Sequence, residues 1–209
     1  MNKLFTSINN FFQMRNYFKT IRNNNIKISS YLKNSRINIK GFNNSVFIEK
    51  GNIKRLKVGI TGNKNTLNIH SSSMLRNLNI IIEGENLNVL IKENCEIGSA
   101  QIVCCGKNTS IEIGKNCLLA NNIEIRNCDG HAIIENNQII NHSKSIKISD
   151  DVWVCQNVKI LKGVIIGCNS VIALDSLVTQ GQYKPHTILA GSPAKVIKHN
   201  ISWDKKRTD

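Results

Sequence analysis

One histidine of the sequence lies in a setting that suits proton transfer. His131 follows Gly130 and lies two residues after Asp129, in the segment 127–145. A neutral imidazole can act as a general base near neutral pH, because its unperturbed pKa is ~6.5. Asp129 or a backbone carbonyl can hold the second ring N–H and so orient the imidazole. From these residues alone, His131 is either such a base or an exposed loop residue.

The other histidines and the cysteines make weaker sites. His142 lies in the same segment as His131 and is either an acceptor contact or a surface residue. Cys128 and His131 are spaced like a pair of zinc ligands, but two ligands without a second cluster make a poor site, so we expect no metal. The seven cysteines are an odd number without a C-x-x-C pair. No apolar stretch of signal-peptide length precedes Gln13 and Arg15, so we expect no export signal. We therefore expect free thiols and a cytoplasmic protein.

A six-residue repeat predicts the elements that position these side chains. Between residues 148 and 179 the first slot of each hexad is aliphatic and the fifth is Val or Ser. A period of six fits a coil with flat faces, each turning one large and one small side chain inward. The large slots are Ile148, Val154, Ile160, Ile166, Ile172 and Val178, and the small slots are Val152, Val158, Val164, Ser170 and Ser176. Upstream hexads place Cys95 and Cys117 in the small slot, as core thiols.

The corners between these faces carry residues that accept turn geometry. They are Asp151, Asn157, Gly163, Asn169 and Asp175. The composition supports the same architecture as the repeat, because 33 Ile and 31 Asn among 209 residues favour short strands joined by tight corners. A helix bundle is excluded, and no apolar run approaches the length of a membrane-spanning helix.

Three segments are predicted. Residues 1–33 form a helical cap segment. Residues 34–182 form the solenoid, from which the loop 127–145 protrudes. Residues 183–209 form a C-terminal extension. Apolar residues of the first segment fall roughly on one helical face with basic residues around it. Such a helix either covers the open end of the solenoid or lies on a membrane, which would place the protein at the inner membrane surface. Residues 56–91 are interpreted as irregular coils of the same solenoid.

The charge of the chain indicates an anionic partner. The sequence has 28 basic and 14 acidic residues, a net charge of +14. Nucleic acid, an anionic membrane, an acidic glycan and a phosphorylated cofactor all suit this charge. A nucleic-acid binder also needs aromatic platforms or a basic recognition helix, and the solenoid has neither, so no nucleic-acid partner is expected.

Several motifs of the sequence resemble motifs of the hexapeptide-repeat acyltransferases, which fold as left-handed parallel β-helices. They are the hexads, Asp129-Gly130-His131, Val152-Trp153-Val154, Ile160-Leu161-Lys162-Gly163-Val164 and the tail 188–197. The match is strong over residues 111–200, weaker over 36–110 and absent over 1–33. The loop and the length are similar to those of O-acetyltransferases that act on capsular or lipopolysaccharide sugars, including sialic-acid capsules.

This resemblance implies an all-β solenoid, a left-handed parallel β-helix that assembles as a homotrimer with its active sites between chains. It implies an acetyl-CoA-dependent O-acetyltransferase that needs no metal and acts directly on a sugar hydroxyl of a surface polysaccharide. The alternative on the same scaffold is acetylation of a nucleotide-sugar amine, a small sugar or an antibiotic.

The resemblance also supports His131 as the general base, which Asp129 or a backbone carbonyl would orient. Trp153 lies in the outward sixth slot of its hexad, where it would line a subunit contact or the cleft, and the resemblance favours the cleft. Trp203 is expected to contribute packing alone.

Four further residues are expected to bind acetyl-CoA. Lys162 and Lys195 would contact its phosphates, and Ala173 and Thr179 would offer backbone groups to its pantetheine arm. The family usually has a small-residue Ala-Gly-Ser where this chain has Leu174-Asp175-Ser176, a departure that reshapes the groove for that arm.

Overall fold

The computed structural model describes residues 16–20 and 23–206, and these residues form strands and turns with no helix. The strands are β1 (Tyr17–Thr20), β2 (Asn25–Ile28), β3 (Tyr31–Lys33), β4 (Arg36–Lys40), β5 (Ser45–Ile48), β6 (Gly51–Lys54), β7 (Lys57–Asn63), β8 (Thr66–Ile69), β9 (Ser72–Arg76), β10 (Leu78–Glu85), β11 (Asn88–Ile91), β12 (Glu96–Ile97), β13 (Ala100–Lys107), β14 (Ser110–Ile113), β15 (Leu118–Leu119), β16 (Ile123–Arg126), β17 (Ile134–Glu135), β18 (Gln138–Ile139), β19 (Ile146–Ile148), β20 (Trp153–Val154), β21 (Lys159–Ile160), β22 (Val164–Ile166), β23 (Val171–Ile172), β24 (Leu177–Val178), β25 (Gly181–Tyr183), β26 (Thr187–Gly191) and β27 (Ala194–His199).

Apart from β17, β18 and β27, successive strands belong in turn to three parallel sheets, which form the faces of a prism. Face A has the order β1-β4-β7-β10-β13-β16-β21-β24, and face B has the order β2-β5-β8-β11-β14-β19-β22-β25. Face C runs from β3 through β6, β9, β12, β15, β20 and β23 to β26, and β27 pairs with β26 in the antiparallel sense. The described chain is thus a parallel β-solenoid, as the hexads predict.

The core consists of the hexad slots. All six large slots between Ile148 and Val178 are fully buried, and the five small slots are at most 1% exposed. Burial of one aliphatic side chain per face and coil removes apolar surface from water along the whole axis. Cys95 and Cys117 are buried free thiols in this core, as predicted.

The corners have the backbone geometry that their residue types predict. Asp151, Asn157, Gly163, Asn169 and Asp175 all have φ between 54° and 74°. Asparagine and aspartate adopt this left-handed conformation at little cost, because their short side chains can form local hydrogen bonds.

The coils before residue 107 are regular, but each is longer than a coil built from three hexads. Ile60, Ile82 and Cys104 lie in register on face A, 22 residues apart, whereas Ile148 and Ile166 on face B are 18 apart. The added residues enlarge the corner between faces A and B. There the buried Asn65 side chain donates to the carbonyl of Gly84 at 3.0 Å.

This enlarged corner requires glycine. Gly62 has φ +116°, and a Cβ on it would lie 1.9 Å from the carbonyl oxygen of Gly84. We expect Gly62→Ala to lower the free energy of unfolding by at least ~2 kcal/mol, from strain and displaced backbone together. Gly59→Ala is the matched control, because its Cβ would meet nothing within 4 Å. Thermal unfolding of both variants measures the difference, and equal melting temperatures would contradict it.

The predicted helix at the N-terminus is wrong for the residues that the structure describes. β1, β2 and β3 lie within residues 17–33 and pair with β4, β5 and β6. The solenoid therefore includes residues 17–20 and 23–33, while residues 1–15, 21 and 22 lie outside the described part. It also continues past residue 182, because β26 pairs in parallel with β23. No helix in residues 16–20 and 23–206 could cross a membrane.

Candidate functional site

The break in the hexads is a loop that leaves the prism at the corner between faces A and B. β16 ends at Arg126 and β19 begins at Ile146, and residues 129–140 are all exposed. Within it β17 and β18 form a short antiparallel hairpin. Its two turn residues, Asn136 and Asn137, have φ of 49° and 61°, which suits a two-residue hairpin turn.

Asn141 ties the returning end of the loop to its outgoing end. Its Nδ2 donates to Asp129 Oδ2 at 2.9 Å and to the backbone carbonyl of His131 at 2.8 Å. Its Oδ1 accepts the N–H of Ile133 at 2.7 Å. One amide side chain therefore holds the backbone on both sides of His131.

Lys162 fixes this loop to the solenoid. Its Nζ donates to the Asp129 carboxylate and to the carbonyl of Asn141, the latter at 3.0 Å. The Lys162 ammonium and the Asn141 amide hold the pKa of Asp129 below its ordinary value. A carboxylate with a lowered pKa keeps its ion pair at neutral pH and loses it only as the pH falls through that value. The clamp formed by Asp129, Asn141 and Lys162 is thus intact across the physiological range.

A cavity of about 580 Å³ lies between the loop and β13. His131 and His142 line it from the loop, and Gly106 and Lys107 line it from β13. Within residues 16–20 and 23–206, the imidazole of His131 has no hydrogen-bond partner, and the Asp129 carboxylate is engaged by Lys162 and Asn141. The contact from Asp129 to His131 runs through Asn141 and the His131 backbone.

The cysteines differ in part from the expectation of seven free thiols. Cys105 of β13 and Cys128 at the start of the loop form a disulfide, with their Cα atoms 6.0 Å apart. The expectation fails for this pair because the register of β13 and β16 brings the two positions together. Burial raises the pKa of the neighbouring Cys104 thiol to about 12, which makes it unreactive. No group of three or more potential metal ligands is found among the described residues.

Trp153 lies on face C, away from the loop of its own chain. Its side chain points outward between the buried Val152 and Val154, as the hexad predicts. The ring of Trp203 packs against it at a centroid distance of 5.9 Å. Trp203 Nε1 donates to the carbonyl of Asp151 at 2.6 Å, so the C-terminal tail packs over face C.

The four residues expected to bind acetyl-CoA lie at two corners. Thr179 follows β24 at the corner of faces A and B, as Lys162 follows β21 one coil earlier. Ala173 follows β23 at the corner of faces C and A, and its N–H already donates to the carbonyl of Leu189. Lys195 is exposed on β27 opposite Ala190.

The Asn141 contacts were not predicted from the sequence and lead to a test. With His131 as the expected base, Asn141→Ala should lower kcat by roughly 10- to 100-fold, because displacing a reacting group by about 1 Å has effects of that size. Gln138→Ala, an exposed change in the same hairpin, is the control and should leave kcat unchanged. A kcat equal to that of wild type in the Asn141 variant would show that the loop keeps its geometry without the amide.

Comparison with known proteins gives clear relatives. The chain is 35% identical over 185 residues to the polysialic acid O-acetyltransferase of Neisseria meningitidis, a match that spans 87% of this chain and 85% of the relative. It is 36% identical over 143 residues to the polysialic acid O-acetyltransferase of Escherichia coli O1:K1, spanning 68% of this chain and 45% of that protein. No family model matches the sequence.

Solved structures agree with the sequence relatives. The polysialic acid O-acetyltransferase OatWY superposes with a TM-score of 0.77 at 34% identity and 92% coverage of both chains. The polysialic-acid-specific acetyltransferase NeuO superposes with a TM-score of 0.71 at 30% identity, covering 93% of this chain and 86% of NeuO. These relatives agree with the hexads and with the Asp-Gly-His motif of the loop. The chain belongs to the hexapeptide-repeat acyltransferase family.

Proposed function

We propose that the protein transfers the acetyl group of acetyl-CoA to a hydroxyl of a sialic-acid-containing surface polysaccharide, of a capsule or a lipopolysaccharide. One observation carries the proposal. His131 lines a cavity on a clamped loop, in a chain whose relatives over most of its length are polysialic acid O-acetyltransferases.

In this proposal His131 acts as the general base. A ring nitrogen accepts the proton of the acceptor hydroxyl as its oxygen attacks the thioester carbonyl. The carbon–sulfur bond then breaks, and the imidazolium returns the proton to the leaving thiolate. Transfer is direct, so no covalent enzyme intermediate forms. Asp129, Asn141 and Lys162 act as positioning residues that hold the loop backbone on both sides of His131.

We assign the complete site to a cleft between two copies of the chain in a homotrimer. His131 leaves the prism at the corner of faces A and B, whereas Trp153 lies on the opposite face C, so a single chain keeps them apart. The hairpin also exposes apolar surface that a second copy would cover. Its exposed isoleucines are Ile133 (55%), Ile134 (67%), Ile139 (48%) and Ile140 (54%).

The same cleft accounts for the two groups of acetyl-CoA residues. Lys162 and Thr179 lie at the corner that bears the loop, and Ala173 and Lys195 lie at the corner of faces C and A. An extended pantetheine arm between two chains would contact the first pair on one chain and the second pair on its neighbour. The exposed Lys195 is suited to a phosphate, whereas Lys162 serves the loop clamp as well.

The test is an acetyl-transfer assay on the full chain with a panel of acceptors. Each reaction contains acetyl-CoA as the donor and one acceptor, which is polysialic acid, a neutral disaccharide, an amino sugar nucleotide or a macrolide. The release of free thiol is measured. We expect acceptor-dependent thiol release with polysialic acid and base-labile acetyl esters on the recovered polymer. Transfer to the amine, the disaccharide or the macrolide alone would replace the proposed acceptor, and no thiol release with any acceptor would reject the proposal.

A further inference from the structure

The positive charge of the chain is concentrated in its first 82 residues. Residues 1–82 contain 14 basic residues and a single acidic one, Glu49, whereas residues 83–209 contain 14 basic and 13 acidic residues. Nearly all of the net charge of +14 therefore lies in residues 1–82. The loop and its cavity belong to the later, nearly neutral part of the chain.

The early cations form a ladder along one corner of the prism, between faces C and A. Lys33, Lys54 and Arg76 are register partners in β3, β6 and β9 at the ends of face C. Arg36 and Lys57 are register partners at the starts of β4 and β7 on face A. Arg55 lies on the corner between the two columns, with a left-handed φ of 58°. We call this set the basic corner, and it consists of Lys33, Arg36, Lys54, Arg55, Lys57 and Arg76.

The charges of the basic corner are exposed and lack acidic partners. All six side chains are exposed, and no carboxylate in residues 16–20 and 23–206 forms an ion pair with any of them. A shallow cavity of about 270 Å³ lies among Lys33, Lys54, Arg55 and Arg76. Like charges that face one another on neighbouring strands repel, so a bound polyanion would relieve this repulsion.

The spacing of the ladder suits an extended, regularly charged polymer. Neighbouring strands lie about 4.8 Å apart, so the ladder presents cations at that interval on a rigid backbone. The loop leaves the solenoid after β16, two coils beyond the coil that starts at Asn77, or about 10 Å further along the axis. A polymer held at the basic corner would thus lie outside the cavity that His131 lines.

We propose that the basic corner is a second binding site, separate from the transfer site, for an acidic polysaccharide with one carboxylate per sugar. It rests on the proposed function for the identity of the polymer, because the relatives act on polysialic acid. The corner holds a long acceptor near the enzyme while successive sugars reach the transfer site. Affinity for long acceptors then depends on the corner, while the chemical step does not.

The test compares two triple variants of equal charge change in the full chain. The corner variant, Lys54→Ala/Arg55→Ala/Arg76→Ala, removes three of the six cations of the basic corner, all of which line its cavity. The control variant, Lys27→Ala/Lys40→Ala/Lys50→Ala, removes three exposed basic residues of the same coils at other positions. We expect the corner variant to raise KM for long polysialic acid roughly tenfold, with kcat unchanged and KM for a sialic acid trimer unchanged. The control variant should keep KM and kcat near the wild-type values. The difference in KM between the corner variant and the control variant should become smaller as salt is added.

Direct binding separates this proposal from the proposed function. Long polysialic acid is titrated into the His131→Ala protein and into the same protein with the three corner or the three control substitutions added, so that turnover plays no part. Loss of binding in the corner variant alone supports the site even if no acetyl transfer is found. Equal binding by the corner and control variants overturns it. Tighter corner-dependent binding of single-stranded DNA than of polysialic acid overturns it in favour of a nucleic-acid site.

Discussion

Replacing His131 with alanine is expected to lower acetyl transfer by about 10²- to 10⁴-fold, the usual contribution of a positioned general base. The protein should keep its melting temperature, because the side chain is exposed and its imidazole has no hydrogen-bond partner among the described residues. Steady-state rates with acetyl-CoA and polysialic acid measure the change.

His199→Ala is the control for this experiment. His199 ends β27, is exposed and lies outside the cavity, so its loss should leave the rate unchanged. Full activity of the His131 variant would remove the imidazole from the mechanism. A parallel fall in melting temperature would assign the loss to folding.

Mixed assemblies of two inactive variants should recover activity if each site joins two chains. We expect Trp153→Ala to lower the rate roughly 100-fold, the loss typical of a central aromatic contact. Trimers formed by coexpressing His131→Ala and Trp153→Ala chains contain sites that take an intact His131 from one chain and an intact Trp153 from its neighbour. Random assembly in equal amounts places both intact residues together in one site of four, so about a quarter of the wild-type rate should return.

The control mixes the two variants after each has assembled, and it should show no recovery. Activity that stays at the level of the parent variants in coexpressed trimers would contradict a site shared between chains. The same outcome would return the complete site, with His131 and Trp153, to a single chain.

The repeat predicts the solenoid because each hexad encodes its own face locally. Ile160 is buried, and Asn157 adopts a left-handed corner, with no information needed beyond a few residues of sequence. The prediction of a helix is wrong for residues 17–20 and 23–33, because the spacing of the apolar residues fits a helix only loosely. The shorter alternation at Ile26 and Ile28 is a strand signal that pairing with β5 stabilises.

The site was predicted less completely because its contacts are distant in sequence. Lys162 lies 33 residues from Asp129, and only the stacking of coils brings its ammonium to that carboxylate. The Cys105–Cys128 disulfide likewise depends on strand register. A histidine on a loop that breaks a repeat is visible in the sequence, whereas the side chains that hold that loop are not.

The central claim is that His131 delivers its imidazole to a thioester held between chains. An experimentally determined structure of the full chain with coenzyme A bound tests it most directly. We predict three chains, with the coenzyme in the cleft beside Trp153 of one chain and its sulfur about 3–4 Å from a ring nitrogen of His131 on the neighbour. A coenzyme bound elsewhere, or an imidazole turned away from its sulfur, would contradict the account.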